Sequence, residues 1–200
     1  MIIDQVEIRY GLPDSCRHQA AMVYYDAFSQ KLVPLVVTQE HGISLMEKAF
    51  DVDYAIVALH HGDCVGLAGL QYSGHRFVRP QLRAFARELG LVRGTLGWIA
   101  LEITEPSPPK GELRIQCLAV ASPVRGQGIG TSLLSATYEL ARAKGFSAVT
   151  LDVVDTNPGA RRLYVRQGFV PVRTLRYPYL RRITGFSAVT FMAKKVVSNG

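Results

Sequence analysis

The spacing of apolar residues changes period several times along the first half of the chain. Residues 5–10 alternate as a strand, and a helical period from Asp14 to about Ser29 predicts a helix with Asp14 as its N-cap. A second helix is expected over Ile43–Phe50. The stretch DYAIVALHHGDCVGLAGLQY then predicts two apolar strands joined by a hairpin turn at His61-Gly62-Asp63.

The second half of the chain alternates between the two periods. Helical spacing covers Arg79–Leu89, where Leu82, Phe85, Ala86 and Leu89 share one face. The elements predicted after that are a strand over Glu112–Ala121, a helix over Ile129–Lys144 that ends at Gly145, a strand over Ser147–Val154, a helix capped by Asn157 that ends at Gly168, and strands over Phe169–Tyr177 and Ser187–Val196. The pattern predicts a mixed α/β protein.

Composition favours one domain over residues 1–200, because 200 residues of which 48% are hydrophobic suit a single core. The proline-rich stretch TEPSPPKG is a surface loop that is too short to be a domain boundary. Residues 72–110, with the only tryptophan, Trp98, resemble an insertion between two core strands. This segment has three open roles: extra packing, a lid on a substrate pocket, or a homodimer surface.

Several classes of protein are disfavoured by what the sequence lacks. No run of about 18 apolar residues occurs, and the N-terminus has acidic residues in place of a basic leader, so we expect a cytoplasmic protein without a membrane span. The cysteines are odd in number and widely spaced, and the histidines do not follow the spacing of metal ligands. We therefore expect neither a disulfide framework nor a bound metal.

The net charge of +7 is concentrated near the C-terminus, because no acidic residue follows Asp155. The basic residues beyond that point are Arg161, Arg162, Arg166, Arg173, Arg176, Arg181, Arg182, Lys194 and Lys195. They form either a solvated face or a site for a polyanionic cofactor or an acidic substrate. Nucleic acid is disfavoured as a partner, because aromatic residues do not alternate with the arginines as they do in single-strand binders.

A glycine-rich loop precedes the helix predicted at Ile129. In SPVRGQGIGTSLL, residues 122–134, glycines at 126, 128 and 130 leave the backbone open to close approach, and Arg125 adds a mobile positive charge. The first N–H groups of a helix lack acceptors and carry partial positive charge, so this loop suits a phosphate group. Asp152, about 20 residues on, mimics a dinucleotide-binding fingerprint, although the G-x-G-x-G spacing differs from G-x-G-x-x-G.

Two groups of residues resemble the GNAT superfamily of N-acyltransferases. Arg125 to Gly130 match its R/Q-x-x-G-x-G/A loop, and the downstream pattern N-x-x-A-x-x-L-Y-x-x-x-G-F is reproduced by Asn157, Ala160, Leu163, Tyr164, Gly168 and Phe169. The resemblance implies a mixed, mostly antiparallel central sheet of about seven strands with flanking helices. It also implies a splayed strand pair that holds acyl-CoA.

The same resemblance implies acetyl-CoA as cofactor, without a metal, and an amine-bearing acceptor that is a small molecule or a peptide. The residues that would bind coenzyme A are Leu118, Ala119, Val120, Arg125, Gly126, Gln127, Gly128, Ile129, Gly130, Thr131, Asn157, Ala160, Arg161 and Tyr164. The acceptor amine would attack the thioester directly in a ternary complex. Transfer to a hydroxyl group stays open.

Three catalytic roles follow from the chemistry of acyl transfer. Tyr164 matches the family's usual general acid, and the Leu118 N–H is expected to stabilise the developing oxyanion. Glu112 is the candidate general base, with Glu102 and His75 as rivals. Two alternative functions remain: a non-catalytic acyl-CoA-binding regulatory module and a dinucleotide-dependent oxidoreductase.

Overall fold

The computed structural model describes residues 5–32, 38–91, 95, 107–177, 181 and 185–197. Its strands are β1 (Val6–Tyr10), β2 (Ala55–His60), β3 (Asp63–Tyr72), β4 (His75–Arg76), β5 (Glu112–Val120), β6 (Ala148–Val154), β7 (Val170–Arg176) and β8 (Ala188–Lys195). The α-helices in these ranges are α1 (Arg17–Leu32), α2 (Gln39–Ala49), α3 (Leu82–Leu89), α4 (Ile129–Ala143) and α5 (Pro158–Arg166).

The strands form one sheet with the order β1-β2-β3-β5-β6-β8-β7, and the short β4 pairs with β3. Neighbouring strands are antiparallel except β5 and β6, which are parallel. The predicted mixed, mostly antiparallel sheet is therefore confirmed. Its strand number is eight in the described residues, because the two-residue β4 was not anticipated.

The predicted hairpin between β2 and β3 is confirmed at its turn. His60 pairs with Asp63, which leaves two turn residues, His61 and Gly62. Both have positive φ, 52° and 88°, as the twist of a two-residue hairpin requires.

Two predicted helix starts are wrong for a local reason. Asp14 begins a short 3-10 helix and not α1, and its carboxylate accepts a hydrogen bond from the Arg17 guanidinium at 3.0 Å. The second helix begins at Gln39, before Ile43, because the Thr38 hydroxyl accepts the His41 N–H at 3.3 Å. A side-chain cap sets the start of α2, and at Asp14 an ion pair with Arg17 takes the place of a cap.

The core lies on both faces of the sheet. One cluster packs α1, α2 and α3 against the first face, with Phe77, Leu67 and Met46 among its buried members. The other packs α4 and α5 against the second face, with Leu133 and Met192 fully buried. The central strands are therefore covered on both sides, which accounts for their continuous apolar runs.

The described part of the predicted insertion contributes to the first of these clusters. Phe77 is fully buried and Phe85 is 1% exposed. The Phe77 ring stacks on that of Phe50, with the ring centroids 4.3 Å apart. The segment up to α3 therefore packs on the core. Trp98 and Glu102 lie outside the described residues.

Gly69 of β3 makes room for Phe77, and this gives a stability prediction. A Cβ at position 69 would overlap the Phe77 ring and lie 2.6 Å from the Cys117 sulfur. Overpacking a full core costs about 1–3 kcal/mol, so Gly69→Ala is expected to lower the free energy of unfolding in urea by about that amount. Gly159→Ala, whose Cβ would lie 3.7 Å from its nearest neighbour, is the control and should not destabilise the protein. Equal stability of the two variants would contradict the prediction.

Candidate active site

The parallel strands β5 and β6 separate shortly after they begin. They pair only where Glu112–Arg114 face Ala148–Thr150. Beyond that point β5 stays paired with β3 as far as Val120, while β6 stays paired with β8 as far as Val154. A gap therefore opens between the two strands toward the glycine-rich loop.

Backbone groups of β5 face this gap. The N–H of Ala121 donates to the Val65 carbonyl, 2.9 Å away on the β3 side. Since successive residues of a strand direct their backbone groups to opposite edges, those of Leu118 and Val120 point away from β3 and into the gap. Ala119, opposite Leu67, directs its backbone groups to β3. The gap thus offers a strand edge that no neighbouring strand pairs with, where the Val120 carbonyl accepts only from the Arg125 side chain.

The glycine-rich loop turns sharply into α4. Gly126 and Gly128 have φ of 79° and 85°, in the left-handed region that favours glycine. The first hydrogen bond of the helix runs from the Ser132 N–H to the Gly128 carbonyl at 3.0 Å. The N–H groups of Ile129, Gly130 and Thr131 come before it and have no acceptor within the helix, so they suit an anion.

Gly130 links this loop to α5. A Cβ at position 130 would lie 3.2 Å from a methyl carbon of Leu163 and 4.0 Å from one of Val120. The missing side chain lets the start of α4, the end of β5 and α5 pack closely. The two motifs of the sequence therefore meet at one place in the fold.

Arg125 is held by the protein, which corrects the expectation of a mobile charge. Its Nε donates to the Val120 carbonyl at 2.9 Å, and its guanidinium also donates to the Asp26 carboxylate of α1 at 2.9 Å. The Ser122 hydroxyl donates to the same carboxylate at 2.8 Å. About half of each side chain of the ion pair is exposed, 51% and 54%, so the pair is open to exchange with a ligand. Asp26 was not anticipated from sequence.

The start of α5 agrees with its sequence pattern. Asn157 caps the helix by accepting the Ala160 N–H at 3.0 Å, and Pro158 follows at the first helical position. Arg161 is exposed and borders a surface depression together with Arg162 and Arg166. Part of the C-terminal positive charge therefore lies on α5.

Tyr164 of α5 is buried in the cluster that packs against the second face of the sheet. The side chain is 7% exposed, and burial raises the pKa of the phenol well above its usual range. Electrostatic interaction with Asp152 of β6 and, less strongly, with Cys117 of β5 raises this pKa further. The phenol therefore stays protonated at ordinary pH.

A buried ion pair spans the point where β5 and β6 separate. The Arg114 guanidinium donates to Asp152 Oδ1 at 2.5 Å, and the two side chains are only 8% and 19% exposed. Asp152 Oδ2 makes no hydrogen bond with the described residues. Sequence reasoning treated Asp152 only as a mimic of a dinucleotide site. The signal in the sequence was a charged residue in the strand AVTLDVV, which apart from Thr150 is otherwise apolar.

The candidate bases are not gathered at Tyr164. Glu112 is the first residue of β5 and pairs with Ala148, at the closed end of the strand pair. His75 lies in β4, where its ring stacks on Tyr54 with centroids 5.1 Å apart. Asp152, by contrast, lies on β6 just beyond the point where β5 and β6 stop pairing.

The described residues contain no cluster of three or more His, Cys, Asp or Glu side chains arranged to hold a metal ion. None of the helices in the same ranges is long and apolar enough to cross a membrane.

Comparison of the sequence with known proteins identifies relatives over part of the chain. N-acetyltransferase 8B of Rattus norvegicus is 38% identical over 78 residues, 39% of this chain and 34% of the relative. N-alpha-acetyltransferase MAK3 of Arabidopsis thaliana is 35% identical over 72 residues, 36% of this chain and 38% of the relative. The chain spans about a third of the length of these curated relatives.

Solved structures match the fold as a whole. One described as the crystal structure of acetyltransferase has a TM-score of 0.63 at 23% identity and covers 96% of this chain and 100% of its own. The ribosomal-protein-S18-alanine N-acetyltransferase of Escherichia coli has a TM-score of 0.56 at 16% identity and covers 98% of this chain and 96% of its own. At these identities the likeness shows the fold alone. The sequence profile of the Acetyltransferase (GNAT) family matches residues 23–169, well over half of the chain, and the protein therefore belongs to that family.

Proposed function

We propose that this protein transfers an acetyl group from acetyl-CoA to a primary amine by direct attack in a ternary complex. The observation that carries the proposal is the gap between β5 and β6, which joins an unpaired strand edge to an anion-binding loop. Family membership supports acyl transfer in general. The identities of the donor, acetyl-CoA, and of the acceptor, a primary amine, are proposed beyond what family membership supports.

The residues around the gap fit coenzyme A. The backbone groups of Leu118 and the N–H of Val120 would pair with the amides of the pantetheine arm as an added strand does. The Val120 carbonyl accepts a hydrogen bond from Arg125 Nε and would join them only if that side chain moved. Ala119 directs its own backbone groups to β3, so its predicted share in binding is reduced to van der Waals contact.

The loop and α5 would bind the remainder of the cofactor. The loop residues are Arg125, Gly126, Gln127, Gly128, Ile129, Gly130 and Thr131, and the backbone N–H groups after Arg125 would hold the diphosphate. Arg125 would contribute its side chain, because its own N–H donates to the Ser122 carbonyl. Ile129 offers only its N–H, because its side chain is 3% exposed. Asn157 and Ala160 would lie along the arm, and Arg161, exposed on α5, would contact a phosphate.

Two groups of this chain would act on the reacting atoms. Bound acetyl-CoA supplies an activated thioester whose oxygen gains negative charge when an amine attacks. The Leu118 N–H would stabilise that charge, since a donor already fixed in a dry site needs no reorganisation. Tyr164 would donate its proton to the departing sulfur. The raised pKa of the phenol keeps it protonated until that step.

Asp152 replaces Glu112 as the proposed proton acceptor for the amine. Arg114 binds Asp152 Oδ1 and fixes the carboxylate, which leaves Oδ2 to accept a proton, directly or through water. The charge of Asp152 raises the pKa of Tyr164, and β6 and α5, which carry these two residues, both border the gap. Glu112, His75 and Glu102 are not needed in this scheme.

The cofactor assignment is tested by thermal unfolding with acetyl-CoA, free coenzyme A, NADH and NADPH in parallel. A ligand at 100 times its Kd stabilises a protein by about 2.7 kcal/mol, which raises the Tm of a chain of this size by roughly 5–10 °C. We expect that rise with the two coenzyme A compounds alone. A rise with the dinucleotides alone would contradict the proposal and point to the oxidoreductase alternative.

Turnover separates an enzyme from a regulatory module. Release of free thiol from acetyl-CoA is measured with a panel of amines, peptides with a free N-terminus, and alcohols. Thiol release with amines supports the proposal. Binding of acetyl-CoA without thiol release for any acceptor would favour the non-catalytic alternative. Thiol release with alcohols alone would identify a hydroxyl group, and not an amine, as the acceptor.

A further inference from the structure

A cavity of about 190 Å³ lies at the closed end of the β5–β6 pair, away from the glycine-rich loop. Gln71 of β3, Ser73, Lys110, Glu112 and Phe146 are among its lining residues. This volume is enough for several water molecules or for one short aliphatic amine. The role proposed above for the gap does not involve this cavity.

Gln71 is buried in the cavity wall with its side chain unpaired. The residue is 5% exposed, and its Oε1 atom is fully buried without a hydrogen-bond partner in the described structure. A buried polar atom without a partner costs about 1–3 kcal/mol, so such atoms in native proteins call for a reason. A ligand in the cavity that donates a hydrogen bond to Oε1, after the amide turns about its last side-chain bond to face it, would supply one.

Gln116, in the same region, has hydrogen-bond partners for both atoms of its side-chain amide. Its Oε1 accepts the Val78 N–H at 2.8 Å, and its Nε2 donates to the Val78 carbonyl at 3.2 Å. Both glutamines lie on central strands at the same face of the sheet. The lack of partners is therefore particular to Gln71.

Glu112 adds a second acceptor to the cavity. Its side chain is half-buried and forms no ion pair with the residues that the structure describes. Lys110 also borders the cavity but is exposed and makes no bridge to Glu112. An unpaired carboxylate beside an unpaired carbonyl oxygen favours a ligand group rich in hydrogen-bond donors and positively charged.

The cavity is connected to the proposed reaction centre by a row of polar side chains. Gln71 lies directly opposite Arg114 in the sheet register, so the two side chains are on the same face. Arg114 in turn donates to Asp152. With cross-strand neighbours about 5 Å apart, the row places the cavity roughly 10 Å from Asp152.

We propose that this cavity binds a protonated amine or guanidinium group of the acceptor, distinct from the amine that is acetylated. Gln71 and Glu112 are then specificity-determining residues, and the acceptor class is a diamine or another molecule with a second cationic group. The proposal rests on the proposed function for the identity of the acceptor. Binding of the cation itself is independent of turnover.

Calorimetric titration with hexamethylenediamine and with hexylamine tests the site without requiring catalysis. We expect the diamine to bind at least about tenfold more tightly than hexylamine, because its second ammonium group adds one charge-assisted hydrogen bond. Gln71→Leu and Glu112→Gln should each remove that preference. Glu139→Gln, the same charge change on the exposed side of α4, is the control and should retain it. Equal Kd values for the two amines, or a preference that survives both variants, would overturn the proposal.

Stability supplies a second readout that does not depend on the chosen amine. Without ligand, Gln71→Leu is expected to raise the Tm, because it replaces an unpaired buried amide with an apolar group of similar size. Gln116→Leu should lower the Tm, because it leaves the Val78 backbone groups without partners. A comparable loss of Tm in both variants would mean that bound water already satisfies Gln71 and that the cavity is only hydrated.

Turnover then distinguishes the failure of this proposal from that of the proposed function. Thiol release with both amines at equal kcat/KM, together with equal Kd values, would leave the enzyme intact and reject the cation site. Diamine binding that depends on Gln71 and Glu112, without thiol release from acetyl-CoA, would retain the site and reject the transferase.

Discussion

Tyr164→Phe is expected to lower kcat by about 10²- to 10⁴-fold while acetyl-CoA still binds, because the variant loses only the proton that the sulfur receives. The ring stays buried against Phe169, whose centroid lies 6.0 Å away, so the packing of α5 is retained. Thiol release measures the rate, and thermal unfolding with acetyl-CoA measures binding. Full turnover with an unchanged pH profile would remove Tyr164 from the reaction.

The raised pKa of Tyr164 predicts a further effect at alkaline pH. Burial holds this pKa above the usual value of 10, so the unfolded chain loses the phenolic proton before the folded one does. The resulting contribution to stability is complete below pH 10 and is lost as the pH rises above it. Tyr164→Phe should therefore lose less stability than the wild-type protein between pH 10 and the highest pH at which unfolding is reversible. Parallel alkaline curves for the two proteins would contradict the buried, protonated phenol.

The second large effect is expected at the ion pair between Arg114 and Asp152. Asp152→Asn removes the carboxylate that accepts from the Arg114 guanidinium, in a site where both side chains are less than a fifth exposed. Breaking a buried pair by removing one partner costs about 3–5 kcal/mol, because the remaining charge stays buried. Urea unfolding should show a loss of that order, and thiol release should fall as well.

A double variant separates the charge from the packing. Arg114→Met with Asp152→Leu removes both charges, and such replacements are often neutral, so we expect a stability within about 1 kcal/mol of the wild-type value. Its turnover should remain low, because no base is left. The exposed pair of Arg125 and Asp26 provides the control: Asp26→Asn is expected to cost less than about 1 kcal/mol. A double variant that is as unstable as Asp152→Asn would indicate that packing, not the buried charge, sets the loss.

Local signals in the sequence predicted the features that depend on a few neighbouring residues. The hairpin at His61 and Gly62 followed from a turn that needs positive φ. The cap of α5 followed from Asn157 and Pro158. Local signals can also compete, and the Thr38 cap extended α2 beyond the apolar pattern.

Residues far apart in the chain could not be brought together from the pattern alone. Asp26 of α1 and Arg125 are joined by an ion pair across 99 positions of the chain. Glu112 and Asp152 both looked like acidic residues of strands, and only the pairing of β5 with β6 shows that Glu112 lies at the closed end and Asp152 where the strands separate.

The sequence by itself determined the alternation of strands and helices, the glycine-rich loop and the family resemblance, because these depend on residue type and spacing within short segments. The tertiary structure decided which acidic residue lies where β5 and β6 separate, which backbone groups face the gap, and that the amide of Gln71 is buried without a partner. Strand register and packing determine those relations, and they involve contacts between residues distant in the chain, which no local pattern specifies.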